Sequence, residues 1–108
     1  HWMWYIFPQL AGLGFSETAK FYAINDLQEA TDYLNHPILG SRLVDITSAL
    51  MPINGKTANQ IFGNPDDLKL RSSMTLFSLV ENADPVFQAV LDKYYGGSPD
   101  PKTLALAK

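Results

Sequence analysis

The residues able to do chemistry in this 108-residue sequence fall in three places: the opening "HWMWYIFPQ", the stretch "PILGSRL" and the stretch "NPDDLKLRSSMTLF". His1 titrates near neutral pH and can serve as an acid, a base or a hydrogen-bonding ligand. Alone it lacks the partner such roles require, and a histidine hydrogen-bonded into the fold is the plainer reading. Gln9, just past Pro8, can hold a ligand or satisfy the free carbonyls of a helix end. Trp2, Trp4, Tyr5 and Phe7 can form a stacking wall for a base or sugar. A domain this small needs such aromatic area for its core, so core is the favoured assignment.

Arg42 follows Leu39 and precedes Leu43, beside an apolar stripe. Its guanidinium can clamp a phosphate or carboxylate, or pair with Asp45 three residues on. In the third stretch, Asp66, Lys69 and Ser73 share one helical face, with Ser72 and Thr75 further round. Lys69 and Ser73 have the spacing of a base and nucleophile, but no oxyanion motif supports them. A polar face whose hydroxyls bond back to helix carbonyls is the favoured reading. Asp66 and Asp67 suit the positive end of a helix for structural reasons alone, and two adjacent acids without histidine are weak metal ligands. His36, before Pro37, reads as a cap.

Composition narrows the classes. Eleven acids against eight bases give a net charge of −3, and the bases are dispersed. A duplex nucleic-acid surface would need them clustered. There is no cysteine, which excludes disulfides and thiolate chemistry and makes an intracellular, cytoplasmic chain the easier reading. No run reaches membrane-spanning length. "GLG" at 12–14 lacks the strand and the further glycine of a phosphate loop, and there is no zinc spacing or serine elbow. No cofactor and no metal are implied.

The elements that must position these residues are helices. "NHPILGSRL", "GNPDDLKL", "ADPVFQAVL" and "PDPKTLALA" each place His, Asn or Asp before proline, followed by apolar residues at helical spacing. Proline tolerates the first helical turn, and the preceding side chain can cap free amides. Leu39, Leu43, Ile46 and Leu50 share a face, as do Leu70, Met74, Phe77 and Val80, and Phe87, Val90, Leu91 and Tyr94. Ser16 can cap "SETAKFYAI", and Asp26 with Glu29 has capping-box spacing. Gly63 and Gly96-Gly97 mark helix ends, and "MPINGKT" is a turn. No window alternates as a strand does. "WMWYIF" is apolar all round, as a buried helix must be, and should stop near Phe7 because Pro8 cannot continue it. Starting at residue 1 without a capping turn, it reads as the tail of a longer helix, so further chain is expected upstream. The expected fold is a single all-α domain, a bundle of short proline-started helices.

"HWMWYIFPQLAGLG", "YAINDLQEATDYLNHPILGSRL", "IFGNPDDLKLRSSMTLF" and "KYYGGSPDPKTLALA" together resemble the DUF1810 family of small bacterial proteins across essentially the whole chain. The resemblance implies an all-helical domain of undetermined function, with a further helical segment before the His-Trp motif. The label calpastatin attached to some members does not fit a compact, densely capped chain, since such inhibitors are disordered.

The functional expectation is a domain binding a small anionic or nucleotide-like metabolite between the first, Pro37 and Pro65 helices. His1, Trp4, Gln9, Arg42 and Lys69 would supply polar contacts, with Asp66 and Ser73 as further candidates. The competing expectations are a helical protein-interaction module and a hydrolase-like enzyme using the same pocket. No nucleic-acid or membrane partner is expected.

Overall fold

The computed structural model describes residues 3–12 and 23–107; in the first helix it describes the side chains of Met3 and Ile6 but not those of Trp4 and Tyr5. Within these residues the domain is all-α, built from α1 (Met3–Ile6), α2 (Leu27–Asn35), α3 (Leu39–Ser48), α4 (Ala58–Phe62), α5 (Asp66–Ser78), α6 (Val86–Tyr95) and α7 (Pro101–Leu106). The one departure from helix and loop is an isolated parallel bridge between Leu10 and Ile24. Ile24 N donates to Gln9 O at 2.8 Å and Ala11 N to Ile24 O at 2.7 Å.

Local chemistry explains most helix starts. The Asp26 carboxylate accepts from Glu29 N, capping α2. Glu29 reaches back one residue beyond the box geometry, accepting from the backbone and side chain of Asn25. His36 Nδ1 accepts from Ile38 N at 3.2 Å and Leu39 N at 3.1 Å, capping the start of α3. Asp84 accepts from Val86 N, and Asp100 accepts from Thr103 N. Asn64 is the exception among the pre-proline residues: it makes no cap, and its bond to Pro65 is cis. A helix absent from the sequence reading, α4, carries the Thr57–Gln60 capping box, whose Thr-x-x-Gln spacing was its legible signal. The segment "SETAKFY", with its proposed Ser16 cap, lies outside the described residues.

The middle of the domain is α5, which packs against α1, α2, α4, α6 and α7. Its stripe is buried as the periodicity demands: Leu70, Met74 and Phe77 are fully enclosed and Val80 is buried, Leu76 is enclosed beside them, and Phe87, Val90 and Leu91 of α6 lie in the same core. Phe77 stacks obliquely on Phe87 with ring centroids 5.7 Å apart, and Phe7 meets Phe62 edge-on at 6.1 Å. Burying a side chain of this size is worth roughly 1.5–3 kcal/mol.

Several polar residues of α5 are buried too, among them Ser72, Ser73 and Thr75. Ser72, Thr75 and Ser78 donate to Leu68 O, Arg71 O and Thr75 O, which satisfies hydroxyls inside a helix bundle. Ser72 also donates to Asp100, while Asp100 N donates to Thr75 Oγ1, so α7 is fastened to α5 by the side chains expected to lie together. Arg71 adds a second clasp, donating to Ser98 O, Ser98 Oγ and Pro99 O, each at 3.0 Å.

Candidate functional site

A groove of about 510 Å³ opens between α1, α2 and α3. The α2–α3 hairpin creates it. Only His36, Pro37 and Ile38 separate the two helices, and Gly40 lets α3 start against the backbone of Leu34. The groove beside this hairpin is lined by Ile6, Tyr33, Leu39, Arg42, Leu43, Asp45, Ile46 and Ala49. The predicted α3 stripe is therefore split. Leu43 and Leu50 enter the core, whereas Leu39 and Ile46 remain 38% and 42% exposed on the groove wall. In α1, Met3 is buried but Ile6 is 37% exposed at the same groove, which corrects the expectation of burial on every face.

The polar groups here are unspent. Among the described residues Arg42 and Asp45 form no salt bridge, with each other or with any other group, and neither side chain makes a hydrogen bond. Arginine N-terminal to the acid is the less favourable order for a helical pair. The Tyr33 ring packs on Phe77 at 5.7 Å, and burial raises its hydroxyl above the usual tyrosine pKa. It stays a neutral donor at neutral pH.

The other candidates lie elsewhere. Lys69 Nζ stands 3.6 Å from Asp66 Oδ1 on the first turns of α5. Asp67 turns away from Asp66, accepting from Leu68 N and from Asn59 Nδ2, so the adjacent acids do not converge on a point. Ser73 is fully buried and its Oγ has no hydrogen-bond partner; a nucleophile there has no route to substrate. Gln9 is 2% exposed and its Nε2 is likewise unpartnered. None of these residues lines the groove, and no α5 residue does. His1 and Trp2 lie outside the described residues, as do the side chains of Trp4 and Tyr5. Phe7, from the same aromatic run, is in the core.

Two smaller concavities lie elsewhere on the described surface. One, about 310 Å³, gathers Asp45, Glu81 and Asp84; the other, about 390 Å³, is formed by Leu27, Leu79, Leu104 and Ala107. Among the described residues no three His, Asp or Glu side chains are arranged to hold a metal ion, and no helix is long and apolar enough to cross a membrane. Sequence reasoning missed Tyr33 and Ile6 as groove residues. Ile6 belongs to the all-apolar opening that reads as core, no motif singles out Tyr33, and only the packing of α1, α2 and α3 brings both to the groove.

A family model described as a protein of unknown function, DUF1810, matches residues 1–107. Among solved structures, the conserved hypothetical protein Rv1873 from Mycobacterium tuberculosis, determined at 1.38 Å, is 52% identical and superposes with a TM-score of 0.95. The match covers 98% of this chain and 76% of that one. No curated protein matches.

Proposed function

The chain belongs to the DUF1810 family, and because that family's function is unknown we propose one from the groove: binding of a small anionic metabolite with an apolar body. The observation that carries this reading is the unpaired Arg42 guanidinium on the wall of an otherwise mainly apolar concavity. Ligand sites are commonly of this size, apolar in lining and oriented by a few polar groups. A planar guanidinium with free donors suits a carboxylate or a phosphate. The single cation beside Asp45 favours a ligand of low charge over a nucleotide. The mycobacterial relative supports a bacterial origin, and a chain without cysteine is compatible with a reducing cytoplasm.

The test is a thermal-shift panel of aryl and alkyl carboxylates, amino acids, sugar phosphates and nucleotides against the protein and its Arg42→Ala variant. A ligand at about a hundred times its Kd adds roughly 2.7 kcal/mol, which moves the midpoint by several degrees. The reading requires a shift that vanishes in the variant; a shift that survives Arg42→Ala rejects it.

A second reading, a docking surface for a partner helix, draws on Ile38, just before α3, and on Leu39 and Ile46 of α3, all of them exposed. Apolar residues grouped in this way mark interaction surfaces. A silent panel on folded protein favours this reading over the first.

A further inference from the structure

Resting on the anion-binding reading of the α1–α2–α3 groove, we infer that its ligand is a zwitterion, a free amino acid with a large apolar side chain. Arg42 would hold the carboxylate and Asp45 the ammonium.

Arg42 and Asp45 both line the groove, three residues apart on α3. Residues at that spacing project from the same side of a helix with Cβ atoms roughly 5–6 Å apart. Each carries a full charge, and neither spends it on the other or on any other described group. A carboxylate and an ammonium on one carbon present the complementary pair of charges. A simple carboxylate would satisfy Arg42 and meet repulsion from Asp45. A phosphate, with more charge, would meet more, and a simple amine would be repelled by Arg42. Ile6, Leu39 and Ile46, all partly exposed at the groove, would cover the ligand's apolar side chain. The Tyr33 hydroxyl, which has no hydrogen-bond partner among the described residues, belongs to the same groove and would donate to the carboxylate's second oxygen. Discrimination by such a site comes from leaving a charge unpaired when the wrong ligand binds, which costs more than a lost apolar contact.

Calorimetric titration of the whole chain with phenylalanine, phenylpropanoate and phenethylamine separates the possibilities, because the three share a ring and differ only in charge. Phenylalanine should bind at least about tenfold tighter than either analogue, one tenfold step being 1.4 kcal/mol. Asp45→Asn should bring phenylalanine and phenylpropanoate to similar affinity while leaving the carboxylate bound, and Arg42→Ala should weaken both. Both substitutions are at exposed positions, and circular dichroism checks that each variant is folded. Phenylpropanoate binding as tightly as phenylalanine, or a preference unchanged by Asp45→Asn, overturns the zwitterion while leaving the anion reading intact. Neither compound binding to folded protein overturns the zwitterion, and failure of the wider anion panel in addition overturns the anion reading.

Discussion

A Cβ placed on Gly40 would overlap the Leu34 carbonyl group, coming within 2.6 Å of its carbon and closer still to its oxygen. This contact sets how tightly α3 turns back on α2, and hence the shape of the groove between them. The need for glycine here is steric: the obstacle is backbone, which cannot swing aside as a side-chain end can.

Gly40→Ala consequently tests the hinge by the sign of its effect. Helix propensity alone predicts a gain of about 1 kcal/mol for alanine at a helical glycine. The overlap predicts a loss of about 3 kcal/mol, with the thermal midpoint falling by about 10 °C or more. Urea unfolding of the two proteins decides it, and a variant as stable as the parent would mean the hairpin is looser than described.

Ser73 and its neighbour Ser72 should respond in opposite directions. The Ser73 hydroxyl is buried without a partner, so Ser73→Ala removes a desolvation penalty and should raise stability by about 1 kcal/mol. Ser72 donates to both Leu68 O and Asp100, so Ser72→Ala should lower it by a similar, roughly 1 kcal/mol, amount. Covalent labelling of Ser73 by a serine-directed fluorophosphonate would contradict its enclosure and return it to the list of nucleophiles.

Alkaline stability should depend on Tyr95. Its hydroxyl donates to Asp67 O at 2.5 Å, and burial, reinforced by the Asp67 charge, pushes its pKa well above the usual tyrosine value. The folded state thus binds this proton more tightly than the unfolded state does. The resulting stability is fully present below about pH 10, the ordinary tyrosine pKa, and is lost as pH rises beyond it toward the folded value. Tyr95→Phe should be less stable at neutral pH by about 1 kcal/mol through the lost hydrogen bond. It should also lose less on going from about pH 9 to about pH 11. Tyr33 and Tyr94, also raised by burial, keep part of the slope. Urea midpoints across that range measure it, and parallel pH profiles for the two proteins would exclude the assignment.

The helices were legible in the sequence because their causes are local. Asp26, His36, Asp84 and Asp100 cap amides within three residues of themselves, and Gly96 ends α6 in the left-handed conformation. Those contacts depend on residue type and short spacing, which the chain states directly. The periodicity at Leu70, Met74 and Phe77 likewise named the buried side of α5. Asn64, which caps nothing, shows the limit of the rule: the same dipeptide pattern serves a different backbone path.

What only the tertiary structure decided was the use of residues that look alike in sequence. Leu39 and Leu43 belong to one stripe and both line the groove, yet Leu39 stays exposed while Leu43 enters the core, because the described residues leave Leu39's side of α3 open. Arg42 was visible as a charge beside an apolar face, but its freedom from Asp45 and the presence of Tyr33 and Ile6 around it depend on how α1, α2 and α3 come together. Lys69 and Ser73 share a helical face with Asp66, and the fold gave that face to packing instead of to the groove. Local hydrogen bonding and period belong to the sequence. Which exposed groups converge is settled by long-range packing, where the approach of one backbone to another decides what is covered and what is left open.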